Sequence, residues 1–258
     1  MKNRTYAMAL AMTAMLSACG GGGGSSSTGT TSTGPKAEGL YAGTTTSGYT
    51  FNALVLENDE IWALYGVPSS GAFYVYGANW AQGSSSNGTY TASNAKDYYY
   101  TGAVATGTVN ASYVAGSSFN GAAIVNGASV GFTSAAPVSS TYVYTSMASL
   151  PTITGTWTGT TLFGEAGTMV IASNGTLTAS FTGSYIGSCT ATGTVQPRAS
   201  GKNVFDVFIV FGTAPCSLPG TTATGIALSY LLTNGQRQLI AAVTTSSNAN
   251  GSAFFAAR

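Results

Sequence analysis

Apolar and polar positions along this chain alternate with a period near two, and no window sustains the spacing of an amphipathic helix. The clearest run is Phe205-Asp206-Val207-Phe208-Ile209-Val210-Phe211. Alternation puts Phe205, Val207, Ile209 and Phe211 on one face, while Phe208 and Val210 predict cover for much of the other. Similar segments predict strands over 154–161, 167–173, 176–182, 188–196, 203–211, 222–232, 237–245 and 251–257. Each is rich in Val, Ile, Thr, Phe and Tyr and bounded by Gly, Asn, Pro or Ser. Gly recurs too often for helices to survive. Eight consecutive antiparallel strands with tight turns predict an all-β unit, either an up-and-down barrel or a sandwich, and closure would remove exposed edges. Trp157, Val170, Phe205, Val207, Ile209 and Phe211 are its core candidates.

The pattern occurs twice. Gly39-Leu40-Tyr41-Ala42-Gly43-Thr44-Thr45 matches Gly155-Thr156-Trp157-Thr158-Gly159-Thr160-Thr161 at an offset of 116. The same offset carries Gly48 onto Gly164 and Leu54–Ile61 onto Val170–Leu177, each a strand, turn and strand. Asn58-Asp59 and Asn174-Gly175 read as two-residue hairpin turns. A second match, Thr106–Val109 with Thr192–Val195, has an offset of 86, which predicts about 30 extra residues in the first repeat between Val67 and Thr106. The expected organisation is a first β unit over 37–136, a linker over 137–152 with several Ser and Thr, and a second β unit over 153–258.

Composition narrows the function. Charged residues make up only 6% of the chain, so there is no basic patch to hold nucleic acid. His is absent, which rules out Ser-His-Asp and Cys-His catalysis and His-based metal sites. Glu57, Asp59 and Glu60 form the one acidic cluster, at the first hairpin. A solvated turn is preferred there to a weak Ca²⁺ site, because the second repeat has Ser173, Gly175 and Thr176 instead. No glycine-rich segment joins a strand to a helix beside a lysine, so no phosphate loop is present. The expectation is a protein that is not an enzyme, with no cofactor and no metal.

The N-terminal region carries an address. Lys2 and Arg4 precede an uncharged apolar run, Tyr6 to Met15, far shorter than the roughly 20 residues a membrane-spanning helix needs. Leu16-Ser17-Ala18-Cys19 then resembles the lipobox of bacterial lipoproteins. The resemblance implies a signal peptide over 1–18, with Cys19 as the first mature residue, acylated on its sulfur and amine. Gly20 in place of Asp implies delivery to the outer membrane. Each buried methylene contributes about 0.8 kcal/mol, so several chains on one residue hold it firmly. Gly20 to Pro35 is almost wholly Gly, Ser and Thr, so residues 19–36 read as anchor and disordered tether, with a reach of about 20–24 Å. Losing Lys2 and Arg4 turns the eight basic residues into six against seven acidic, a near-neutral mature chain. Once Cys19 is assigned to lipid, Cys189 and Cys216 remain as an even pair in an oxidising compartment, where a disulfide is expected.

The G-x-W-x-G opening over Gly155–Gly159, followed by hairpins, is similar to avidin-like and other calycin-type barrels. Beyond Trp157 the aromatic wall of the avidin family is not evident in the second unit, so biotin binding does not carry over. The chain also resembles Gly/Thr-rich two-repeat lipoproteins of Gram-negative bacteria and, in architecture, transferrin-binding surface lipoproteins. The aromatic-rich stretch of the first unit is the best ligand candidate. Tyr74 and Tyr76 are expected to share one strand face, as are Tyr98 and Tyr100, with Trp80 nearby. Such rings suit a sugar, a protein or a small apolar ligand, and packing inside the first unit is the competing use. The leading expectation is an outer-membrane lipoprotein with a binding or cell-envelope role. A calycin-like carrier of a small apolar ligand is the alternative. A membrane-spanning barrel is less favoured, because the chain ends in Ala257-Arg258 rather than a terminal aromatic.

Overall fold

A computed structural model of the chain describes residues 34–69, 72–137 and 141–258. Cys19, the signal segment and most of the tether lie outside these residues. The first nine strands are β1 (Gly39–Thr45), β2 (Thr50–Val55), β3 (Glu60–Ser69), β4 (Ala72–Gln82), β5 (Ser84–Ser86), β6 (Thr89–Tyr99), β7 (Val104–Val114), β8 (Ser118–Val125) and β9 (Ala128–Ala135). All pairings are antiparallel, and each strand pairs with the next in the chain except β4 with β5. β1 pairs with β9, and β4 reaches past the three-residue β5 to pair with β6, which closes an eight-stranded barrel. The second barrel is closed by β10 (Gly155–Thr161), β11 (Ala166–Ile171), β12 (Thr176–Gly183), β13 (Gly187–Pro197), β14 (Phe205–Phe211), β15 (Thr222–Leu231), β16 (Arg237–Thr245) and β17 (Gly251–Ala257). The protein is therefore all-β, and both units are up-and-down barrels rather than sandwiches. Among the described residues no helix is long and apolar enough to cross a membrane.

The offset of 116 reappears strand by strand. Gly39 pairs with Val55 and Gly155 with Ile171. The Tyr41 hydroxyl donates to the Ala37 carbonyl at 2.7 Å, and the Trp157 indole N–H donates to the Ile153 carbonyl at 2.7 Å. The hairpins differ from the expected two-residue form. Leu56 N–H bonds the Glu60 carbonyl and Ala172 N–H bonds that of Thr176, so each loop has three residues. Asp59 (φ 65°) and Gly175 (φ 83°) take the left-handed position that completes such loops. The offset of 86 is not a structural equivalence. Thr106 lies on β7, sixth in its barrel, whereas Thr192 lies on β13, fourth in its own. No insertion of about 30 residues exists, since the barrels span the similar ranges Gly39–Ala135 and Gly155–Ala257.

The second barrel is filled. Trp157, Phe205, Val207, Ile209 and Phe211 are buried in one cluster with Met169, Leu177, Phe181 and Phe254. Val170, expected in this core, is instead 42% exposed. Register pairs Trp157 with Met169, so Met169 points inward and Val170 outward. The outer face of β14 is also more open than expected, with Phe208 42% exposed. Val170→Thr should therefore change stability by no more than about 0.5 kcal/mol, whereas Met169→Ala should cost about 2–5 kcal/mol. Urea denaturation of the two variants measures both.

Where the barrels meet, outward residues of β1 to β4 pack on β15 to β17. Leu54, Trp62, Ile226 and Ala242 are buried there with Tyr142 and Tyr144 from the connection. The expected linker is thus part of the packing. The acidic hairpin is not a solvated turn. Glu57 bonds Arg198 Nε at 2.7 Å, and Arg198 also holds Asp206. Asp59 is buried against Lys36 and Ser85, and Glu60 accepts the Trp80 indole N–H at 2.8 Å. Three neighbouring acids meet three separate structural needs, and no metal-ligating group of three forms among the described residues.

Candidate functional site

One end of the first barrel is plugged and the other is open. At the closed end Tyr41, Val55, Ile61, Tyr90, Tyr113 and Phe119 pack together. Pro35 and Lys36, expected in the tether, belong to this plug. Tyr113 OH donates to the Pro35 carbonyl at 2.8 Å, and Tyr90 OH donates to the Asp59 carbonyl at 2.8 Å. Beyond the plug the interior widens into a cavity of about 310 Å³. That is the small end of ligand-site volumes, about 300–1,000 Å³.

The cavity exists because small residues stand where the second barrel has large ones. At the offset of 116, cavity-lining Ala53 corresponds to buried Met169. On the fifth wall strand, β6 turns Ala92, Ala95, Asp97 and Tyr99 inward, whereas β14 presents Phe205, Val207, Ile209 and Phe211. A bulge between Ala92 and Ala95 resets the phase of β6, so that Asp97 points in and Tyr98 out. Walls of Ala53, Ala63, Ala81, Val109 and Phe132 make the cavity mainly apolar.

Asp97 supplies its polar focus. Tyr65 OH donates to the carboxylate at 3.0 Å and 3.3 Å, and Tyr99 and Asn79 also hydrogen-bond it. Asn79 faces Asp97 directly across the β4–β6 pair. Burial raises the Asp97 pKa above the ordinary carboxylate value, and the three hydrogen bonds offset only part of that. The Tyr65 phenol is raised as well, first by burial and then by the neighbouring carboxylate. From Asp97 to the mouth runs a chain of rings. Tyr99 lies 6.3 Å from Tyr65, Tyr65 5.6 Å from Tyr49, Tyr49 5.7 Å from Tyr76, and Tyr76 5.5 Å from Tyr100.

The raised acid has a consequence for stability. Between the unfolded carboxyl pKa, about 3.9, and the raised folded value, the native state binds more protons than the unfolded chain. This contribution therefore falls as pH rises through that window. With the cavity unliganded, Asp97→Asn should be more stable than wild type at neutral pH, with the advantage vanishing below about pH 4. The tyrosine hydroxyls can accept as well as donate, so the amide can be satisfied. Thermal melts of both proteins across pH check this.

The structure divides the sequence-chosen aromatics. Tyr76 and Tyr100 continue the ring series outward from cavity-lining Tyr49, and Tyr74 and Tyr100 are exposed. Tyr98 points outward, toward the second barrel, and Trp80 packs there too while also bordering the cavity wall. Tyr98 OH donates to the Asn248 carbonyl at 3.0 Å. Tyr76 sits at a β4 irregularity, where Tyr65 pairs with Gly77 and Gly66 with Val75, so it does not simply share a face with Tyr74. The five therefore do not form one patch. Tyr49, Tyr65, Asn79, Asp97 and Tyr99 line the cavity, and sequence reading did not single them out. Two signals were available: Tyr65 stands at the offset of 116 from Phe181, and Asp97 is a lone acid on a β-patterned strand. Cys189 and Cys216 form the expected disulfide.

Fold and site together define a pair of closed β-barrels, one packed and one hollow. No family model and no curated protein matches the chain. Among solved structures, it is similar to a protein of unknown function from the DUF3598 family of Nostoc punctiforme. The two are 12% identical, and the match covers 85% of this chain and 93% of that one at a TM-score of 0.25.

Proposed function

We propose that this protein is a non-catalytic binding protein displayed from the outer membrane by lipid on Cys19, and that its first barrel carries a small, largely apolar ligand. The observation that supports the reading is the contrast between the barrels. One is packed to its axis, while the other keeps a cavity of about 310 Å³ with an open, tyrosine-lined mouth. Emptying a barrel forfeits the packing its neighbour retains, so a hollow interior favours occupancy. The sequence by itself favours a general envelope role. The cavity moves the carrier reading ahead of it.

Native mass spectrometry of the detergent-extracted, full-length protein tests the carrier reading. A retained small molecule, lost when Ala63→Leu fills the cavity, is the expected result. Preparations that are empty from every growth condition would overturn it. Membrane display has its own test: Cys19→Ser should move the protein from the membrane fraction to the soluble fraction.

A further inference from the structure

The cavity of the first barrel holds a buried acid with no ion-pair partner among the described residues. Three acids are buried among the described residues: Asp59, Asp97 and Glu165. Asp59 has the Lys36 ammonium. Glu165 accepts the backbone N–H groups of Tyr185 and Ile186 at 2.6 Å and 2.8 Å. Of the other acids, Glu38 pairs with Lys202, and Glu57 and Asp206 share Arg198. Asp97 has neither a cation nor a backbone donor among the described residues. Its partners are two phenols and an amide, all neutral. Lys96 is next in sequence and also borders the cavity, but it alternates to the other face of β6, opposite Trp80, and makes no ion pair with Asp97.

A carboxylate offers about four acceptor sites, and Tyr65, Tyr99 and Asn79 supply three donors, which leaves capacity toward the cavity. A buried carboxylate is costly unless a positive charge neutralises it. The surrounding surface also suits a cation. Tyr65 and Tyr99 flank the acid, and Tyr49, Tyr76 and Tyr100 extend the ring series to solvent. Aromatic faces attract organic cations, more strongly once water is excluded. Beyond these rings the walls are alanine, valine and phenylalanine, which suit a hydrocarbon body.

Taking the cavity to be a ligand site, we infer that its ligand is a small apolar amine, bound as the ammonium ion against Asp97 between Tyr65 and Tyr99. No covalent step is involved. The acid acts as counter-ion, the rings as a cation-binding collar and the alanine-lined space as the body's pocket.

Three probes of one shape separate this inference from the carrier reading: 4-phenylbutylamine, 4-phenylbutan-1-ol and 4-phenylbutyrate. Their binding to the full chain in maltoside detergent is followed by calorimetry at neutral pH. The amine should bind at least tenfold more tightly than the alcohol, and the carboxylate most weakly. Asp97→Asn should bring the amine down to the level of the alcohol and leave the alcohol nearly unchanged. Equal binding of amine and alcohol by wild type, abolished by Ala63→Leu, would overturn the amine inference and leave the carrier reading intact. An amine preference that survives Asp97→Asn would overturn it too. If no probe binds and extracted protein is also empty, both readings fall.

A pH titration of wild type needs no variant. Amine affinity should fall as acid protonates Asp97, while alcohol affinity stays level. Tyr65 from β3 and Tyr99 from β6 bond the acid, Tyr49 and Lys96 also line the cavity, and phenols do not ionise between about pH 4 and 8. Parallel curves for amine and alcohol would count against the inference.

Discussion

Trp157→Ala should destabilise the protein by about 3–5 kcal/mol, the range for removing a fully buried aromatic side chain from a core. Trp157 is completely buried in the second barrel. Its loss removes three things together. The indole fills the base of the barrel, its N–H satisfies the Ile153 carbonyl at 2.7 Å, and its face carries the Arg258 guanidinium at 4.0 Å. Arg258 in turn donates to the Thr154 carbonyl at 2.7 Å, tying the last strand's exit to the first strand's entry. Trp157→Phe keeps most of the ring and should cost less, about 1 kcal/mol of it from the lost hydrogen bond. Guanidinium denaturation orders the three proteins. A loss below 1 kcal/mol for the alanine variant would show that the base of the barrel tolerates a hole.

The disulfide should have the second-largest effect. Cys189 is on β13 and Cys216 in the loop between β14 and β15, with a sequence separation of 27. A closed segment of that length restricts the unfolded chain by about 3–4 kcal/mol in the loop-entropy treatment. The double variant Cys189→Ala, Cys216→Ala should lose about that much. Both cysteines are buried in the barrel cluster, so a small packing loss adds to it. Wild type denatured with reductant should lose nearly as much as the double variant, less that packing contribution. A reduced protein as stable as the oxidised one would show that the unfolded chain is already constrained there. Trp157 and the disulfide share one core cluster, so the two losses should not add fully.

Particular residues show how far the pattern could be read. The eight strands of the second barrel were placed within about two residues of their observed ends, because Gly, Asn and Pro mark the turns and β-rich runs lie between. The opening repeat was equally legible, since Gly39, Gly48, Gly155 and Gly164 all take positive φ at matching positions. Val170 was misplaced because alternation has two phases, and only pairing with Trp157 selects Met169 for the interior. Composition marks Tyr98 and Trp80 as ligand residues, yet a barrel strand has two faces, and the rings of both pack toward the second barrel while Trp80 also borders the cavity. The acidic trio at 57–60 looks solvated in the sequence because its partners, Lys36 and Arg198, lie 23 and 141 residues from Asp59 and Glu57.

The sequence by itself determined the all-β class, the duplication, the strands of the second barrel and the cysteine pair. These rest on local spacing and turn chemistry, which each short segment carries alone. The tertiary structure alone decided that the first barrel is hollow and that Asp97 sits in it with no ion-pair partner among the described residues. An interior volume is set jointly by side chains from strands far apart in the chain. Ala53, Ala63 and Ala95 are ordinary residues singly, and they make a cavity only when barrel closure turns them to a common axis.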